Sequence, residues 1–304
     1  MAKEYRKFTM TRKRSDWVGA RDTTLRGTPM RVNAASANRA ADEAQAMVRK
    51  MHLDISSQVN NLFKTPTAKN SIVKAPGKIT TENVAMDASI ASQSRILMNG
   101  LIAKWQKKFN LFGNDFAKKM VSTVDRQSSN DLKKATDKLS GGLNIKTDSL
   151  SERTRDIILA STDESSSLIK TIATGYTTEV KEAISRSIST NTGSLTSLKQ
   201  TINDALQGKY KTYKNKAKNV ALDQTRKAFN NLAVSRMQDV GLDEFIWRHS
   251  AGSQTPRSHH KDVLNGNVYS ISNPPVINTK TGAKGLPAQE INCKCYMEPV
   301  ITFG

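Results

Sequence analysis

The strongest constraint on this chain is an imbalance along its length. Three of the four histidines (His249, His259, His260) fall between Phe245 and Val300. So do both cysteines (Cys293, Cys295) and five of the eight prolines (Pro256, Pro274, Pro275, Pro287, Pro299). Prolines in such density mark turns and loops. The residues before Gly241 instead carry apolar side chains at three- and four-residue steps among lysines and arginines, the pattern of helices with 3.6 residues per turn. The expected fold is mainly α, a long helical stem carrying a small α/β C-terminal head.

Residues 1–33 form a basic N-terminal arm without apolar periodicity. Its candidate nucleic-acid contacts are Arg6, Lys7, Arg12, Lys13, Arg14, Arg21, Arg26 and Arg31. This composition suits a solvated tail, or an arm that orders against nucleic acid or a partner subunit. From Asn33, the run Ala37, Ala40, Ala44, Met47, Met51, Ile55, Val59 and Leu62 marks one helix face. Pro66 and Pro76-Gly77 end it, so 34–80 reads as an N-terminal helix and connector.

A helical domain follows over 81–212. Thr81-Glu82 offers a cap, and Leu97, Leu101, Trp105, Phe109, Phe112, Phe116, Met120 and Val124 form a stripe that runs on to Gly141-Gly142. Lysines 104, 107, 108, 118 and 119 are interleaved with the aromatic residues, an arrangement that could stack bases. Aromatic residues at helical spacing with lysines on the other face are first of all the core side of an amphipathic helix. Shorter helices are expected over 149–173, over 176–190 and from Ser194 to a turn at Gln207-Gly208. The last region, 213–304, reads as a long helix to Val240, closed by Gly241, plus the head. In the head, Phe245-Ile246-Trp247 and Val268–Ile271 look like strands around an Asn265-Gly266 turn. An irregular loop then leads to a closing strand over Cys293–Ile301.

The 304 residues carry 47 Lys and Arg against 27 Asp and Glu, a net charge of +20. Residues 1–50 account for +7 of it and residues 241–304 for only +1. Attraction to a polyanion, above all nucleic acid, therefore belongs to the arm and stem. No stretch is apolar for the roughly 18 residues a membrane helix needs, and the N-terminus lacks the apolar core of a secretory signal. Two cysteines one residue apart make no disulfide framework, which points to assembly in a reducing cytosol. No glycine-rich phosphate loop is present.

Cys293-Lys294-Cys295 offers two zinc ligands, with His260 and either His259 or His249 to complete a tetrahedron. In a strand, residues two apart face one side, so both sulfurs could reach one ion. Two small buried side chains in a reducing compartment explain the same pair more simply. Arg257 with His259 and His260 could alternatively serve as phosphate clamp, acid and base in a nuclease-like site, though Asp262 and Glu290 are the only carboxylates at hand. A Cys–His nucleophile is formally present but has no orienting third group.

The order of residues is more specific than any pair. It runs from Trp247 to Pro256-Arg257-Ser258-His259-His260, then Leu264-Asn265-Gly266 with Val268-Tyr269. Pro274-Pro275-Val276-Ile277, Thr281-Gly282, Gly285-x-Pro287 and Asn292-Cys293-Lys294-Cys295 follow. This order resembles the head-morphogenesis (Mu F-like) family of minor head proteins of tailed bacteriophages. The family pattern is a Trp, an R-x-x-H segment, a hydrophobic-x-G turn, a P-P-V-I-D loop and a closing N-C-R-C. The matching motif residues are Trp247, Arg257, His260, Gly266, Pro274, Pro275, Pro287, Cys293 and Cys295. Asn278 replaces the usual Asp and Lys294 the usual Arg. The likeness covers about half of the chain, from about 150 onward.

The resemblance implies a structural protein and no enzyme. It would be a minor capsid protein made in the host cytoplasm and carried in the virion, inside the capsid near the portal. Its implied partners are the portal protein and double-stranded DNA held non-specifically, with the major capsid or scaffolding protein as further candidates and no membrane. Its implied roles are head assembly and genome packaging or delivery. The alternative is a phage-borne nuclease or toxin-like enzyme using Arg257 and His260.

Overall fold

The computed structural model describes residues 24–64, 89–140, 151–252 and 255–302. The fold is mainly α with a small strand-containing C-terminal head. Four long helices carry it: α1 (Ala34–Leu62), α2 (Ile90–Leu139), α3 (Glu152–Thr190) and α4 (Leu195–Asp239). Each begins on a short polar side chain that satisfies amides of the first turn. The Asn33 Oδ1 accepts from the amides of Ala35 and Ser36 at 2.8 and 3.3 Å. The hydroxyls of Ser89, Ser151 and Ser194 accept from Ser92, Thr154 and Ser197 at 3.3, 3.1 and 3.2 Å. Helix α4 stops at Gly241, whose φ of 80° lets the Leu242 amide turn back onto the Met237 carbonyl at 2.8 Å. Leu242 and Met237 are both buried there, which completes a Schellman stop.

The head contains a four-stranded antiparallel sheet in the order β1-β6-β2-β3. Its strands are β1 (Thr24–Arg26), β2 (Glu244–Arg248), β3 (Val268–Ser270) and β6 (Tyr296–Thr302). Phe245 sits opposite Pro299 and Trp247 opposite Met297. Phe245, Trp247 and Met297 are wholly buried, so this face is the head's core. A π-helical turn (His259–Leu264) and a two-stranded hairpin, β4 (Val276–Asn278) with β5 (Ala283–Lys284), complete it.

The chain divides into two compact units, and every long helix supplies residues to both. One unit comprises the described residues 41–64, 89–115 and 166–220. Polar side chains tie its four helical segments pairwise. His52 on α1 meets the Tyr176 hydroxyl on α3 at 2.8 Å and stacks on Tyr210 of α4 with ring centres 4.3 Å apart. The Trp105 indole on α2 donates to Asp54 on α1 at 2.7 Å. Burial alone would raise the Asp54 carboxyl, but donation by Lys104 and Trp105 brings it below its ordinary range. Tyr213 on α4 donates to Glu179 on α3 at 2.6 Å. Trp105 and Phe109 are buried, so the aromatic stripe is core, with Lys108 lying over the Trp105 ring at 4.7 Å.

The other unit comprises the head with the described residues 24–40, 116–140, 151–165 and 221–239. There Arg236 of α4, only 4% exposed, pairs with Asp125 of α2 at 2.6 Å. Thr154 of α3 meets Ser235 of α4 at 2.8 Å. Arm residues up to Arg21, most of the 64–80 connector, the Thr81-Glu82 cap and the Gly141-Gly142 stop lie outside the described residues. No helix among the described residues is long and apolar enough to cross a membrane.

Three expectations change. The arm does not run unpatterned to residue 33. Thr24–Arg26 pair with β6, and Met30, 1% exposed, bridges to Met297. Arg26 is exposed on that strand, and Arg31 lies 6.0 Å over the Tyr296 ring. The two helices expected over 149–173 and 176–190 are one, because Gly175 is a contact position and not a break. A Cβ there would come within 2.6 Å of the Tyr213 hydroxyl. The turn expected at Gln207-Gly208 is also helix, since Leu198, Ile202, Leu206, Tyr213 and Ala217 keep one buried face across it.

These two glycines give opposite predictions. Nothing lies within 4 Å of a Cβ at Gly208, so Gly208→Ala should stabilise by up to about 1 kcal/mol. Gly175→Ala should destabilise by about 1–3 kcal/mol by overpacking against a tyrosine pinned to Glu179. Thermal unfolding of both variants checks this, and a loss at Gly208 would restore the turn.

Candidate metal centre

The residues singled out in the head converge. The Asn265-Gly266 turn fixes the first of them. Gly266 has φ 89°, and its amide donates to the Trp247 carbonyl at 2.8 Å while the Trp247 amide donates to Asn267. This sets Trp247, fully buried, with its ring edge-on to His260 at 5.2 Å between centres. Pro274 and Pro275 lead into β4, and the Pro275 carbonyl accepts from Gly285 at 2.9 Å. A Cβ on Gly285 would come within 2.5 Å of the tips of the Ile277 and Gln289 side chains, so the loop lies tight against the hairpin there. Pro287 is buried in that loop.

The two adjacent histidines grip successive carbonyls of β4. His259 Nε2 lies 2.7 Å from the Val276 oxygen, and His260 Nε2 lies 2.9 Å from that of Ile277. A carbonyl can only accept, so each Nε2 carries the proton. For His260, 2% exposed, this turns the Nδ1 lone pair toward the cysteines. Cys293 Sγ is 3.6 Å and Cys295 Sγ 3.8 Å from Nδ1. All three residues are buried, and their ligand atoms lie within 4.8 Å of one another.

His259 and His249 do not join this group. His259 Nε2 is occupied at Val276, and neither the His259 nor the His249 ring lies among the ligand atoms gathered at His260, Cys293 and Cys295. The expected four-ligand set with His259 therefore reduces to three. The cysteines also precede the closing strand, which begins at Tyr296 and not at Cys293. What turns both sulfurs inward is the loop before it, where Ala288 and Asn292 take left-handed φ values of 64° and 60°. The Asn292 amide is tied to Asp223 of α4 at 2.7 Å.

Charge around the group is ordered. The Cys293 thiol is shifted down, chiefly by the donor Cys295, and also by His260 and the amides of Cys295 and Ala288 against opposing burial. Cys295 is shifted up by the same shared proton and by burial. Burial lowers His260, yet Cys293, the Ile277 carbonyl and Glu290 raise it on balance. Arg226 of α4 is lowered by burial, with Asp223 and Cys293 acting against that.

Behind His260 sits Glu290. Its Oε2 is 3.0 Å from Arg257 Nε and 3.4 Å from His260 Nε2, but neither donor is aligned for a hydrogen bond. Its Oε1 accepts from Asn278 Nδ2 at 3.0 Å. An aspartate at 278 would set two carboxylates against each other, so Asn278 and Glu290 suit one another here. Arg257 Nη2 also donates to the Ile291 carbonyl at 2.9 Å, and Lys294 donates to that of Gly252 at 2.6 Å.

Chemically, the cluster offers two sulfurs and one imidazole lone pair to a soft or borderline cation. A nucleophilic cysteine is poorly served, since Cys293 and Cys295 are 3% and 6% exposed. For nuclease-like chemistry, both the arginine and the histidine are already engaged by the head's own carbonyls and Glu290. Sequence reasoning missed Asp223 as the anchor of the cysteine loop, and its i,i+4 partner Lys227, 3.2 Å away, gave no hint of that role.

Arg257 donates to the Ile291 carbonyl while its guanidinium stays 3.0 Å from the Glu290 carboxylate, a planar arrangement that a lysine cannot reproduce. Arg257→Lys should therefore lower stability by about 1 kcal/mol, read as a lower midpoint in urea. Against known proteins, no family model matches the chain, and no solved structure does. An uncharacterized protein of Haemophilus influenzae (strain ATCC 51907 / DSM 11121 / KW20 / Rd) is 27% identical over 135 residues, 44% of this chain. The match spans 27% of that relative's own length.

Proposed function

We propose that this chain is a minor capsid protein of a tailed phage, bound to the portal protein inside the head and holding double-stranded DNA without sequence preference. Its roles are head assembly and genome packaging or delivery. The observation that carries this reading is the convergence of the head motif. Trp247, Cys293 and Cys295 are dispersed over some fifty positions of sequence yet meet at the His260 imidazole, and Arg257 joins them through Glu290, which lies beside the same ring. Residues that match a family pattern in order and then build one structural core support membership better than any isolated motif does. Their engagement with each other supports a structural role for the head.

The charge distribution supports the DNA part. A net charge of +20 with only +1 in residues 241–304 leaves the cations to the arm and helices. Binding through them exchanges counterions for lysine and arginine, so affinity should fall steeply with salt.

Removing residues 1–23 spares β1 and α1 and deletes Arg6, Lys7, Arg12, Lys13, Arg14 and Arg21. DNA retention at low salt should drop, and the log–log salt slope should fall by about 0.9 for each phosphate that the arm had neutralised. Unchanged retention removes the arm from the proposal. Co-expression with the cognate portal protein should yield a complex that survives gel filtration. A chain that elutes alone, and is missing from virions probed with an antibody against it, overturns the virion reading.

A further inference from the structure

We propose that His260 Nδ1, Cys293 Sγ and Cys295 Sγ bind one Zn2+, a structural centre that fastens the cysteine loop to hairpin β4–β5, with water in the fourth position. The geometry of the head carries this inference, which stands whether or not the chain is a virion protein.

Distance is the first argument. A tetrahedral zinc with bonds of about 2.3 Å to sulfur and about 2.05 Å to nitrogen holds S and N about 3.6 Å apart. The two sulfurs lie 3.6 and 3.8 Å from His260 Nδ1. The third separation lies within 4.8 Å, so the sulfurs need little movement to reach the roughly 3.8 Å of a tetrahedral pair. Direction is the second. The Nε2–H of His260 is fixed on the Ile277 carbonyl with Glu290 beside it. This is the outer-shell arrangement that orients an imidazole whose other nitrogen ligates a metal.

The Trp247 indole N–H supplies a third observation: it is buried without an aligned acceptor, on a ring packed edge-on to His260 at 5.2 Å. A thiolate beside that ring, an acceptor only, suits such a donor better than a neutral thiol, which has its own proton to place. Two sulfurs and one imidazole then select zinc among common cytosolic divalent ions, because calcium and magnesium prefer oxygen.

Position also decides what kind of centre it is. Glu290 lies on the Nε2 side of the ring, across the imidazole from the ligating nitrogen. It therefore backs the ligand and does not face the fourth position. Among the described residues, no further His, Cys, Asp or Glu joins the cluster. His260, Cys293 and Cys295 are 2%, 3% and 6% exposed, so a water in the fourth position would be closed off from any substrate and the centre holds the fold.

The experiment uses the full chain purified without chelator. Elemental analysis should give about one zinc per chain, and both thiols should resist a thiol reagent until a strong chelator is added. Exchange with Co2+ should produce sulfur-to-cobalt charge transfer and the visible bands of a tetrahedral site. His260→Ala and Cys293→Ser should lose the metal, whereas His259→Ala should keep it. Should the first two fail to fold, the wild-type thiol protection and cobalt spectrum still decide. Thiols that react equally with and without chelator, a chain that takes up no zinc after refolding in its presence, or metal lost with His259→Ala each overturn the proposal. Stoichiometric iron or copper in place of zinc does so too.

Discussion

The hydrogen bond from His260 Nε2 to the carbonyl of Ile277 fixes the orientation of one buried ring, and the rest of the head is arranged around that ring. Trp247 packs on its edge, the two sulfurs face its free nitrogen, and Glu290 with Arg257 stands behind it. None of these neighbours is adjacent in sequence, so a single side chain joins β2, the π-helical turn, β4 and the cysteine loop. The adjacent His259 repeats the same bond one residue earlier. Two rings on successive carbonyls hold the hairpin more firmly than its two short strands could alone, since isolated two-stranded hairpins are marginal in water.

The helices are held together differently. Their buried faces set large apolar side chains among many alanines, serines and threonines. Small residues contribute little transfer free energy each, roughly in proportion to the apolar area removed from water. Specificity between helical segments comes instead from buried polar pairs such as His52–Tyr176 and Thr154–Ser235. Such pairs cost desolvation if separated, so they favour one register over its neighbours. The Gly175 notch against Tyr213 acts likewise, because no other residue admits that hydroxyl so near the backbone.

The sequence made some of this plain and concealed the rest, for definite reasons. Helix starts were readable at Asn33 and Ser194, and the stop at Gly241, because capping is local chemistry. Continuity was not readable at Gly175 or Gly208. Glycine reads as a break when its neighbours are unknown, and what keeps Gly175 helical is Tyr213, in another helix. The strands around Trp247 and Val268 were legible from β-branched and aromatic runs. Strand β1 was not, since Thr24–Arg26 is too short to show a period and its partner lies at the far end of the chain. In the candidate site, His260, Cys293 and Cys295 were found as a set. The exclusion of His259 depended on the Val276 carbonyl, which no spacing rule reveals.

Strand β1 has a temporal consequence. Thr24 pairs with Thr302 and Leu25 with Ile301, so one edge of the sheet is synthesised long before its partner. While all four helices emerge from the ribosome, β1 has nothing to pair with, and Met30 has no pocket to enter. Pairings so distant in sequence form late, because loop closure must precede any gain from them. Completion of the sheet thus waits for the synthesis of β6. A nascent chain halted before β6 would carry its helices but leave strand β1 open to other edges, which gives quality control a direct means of telling chains that have made β6 from those that have not.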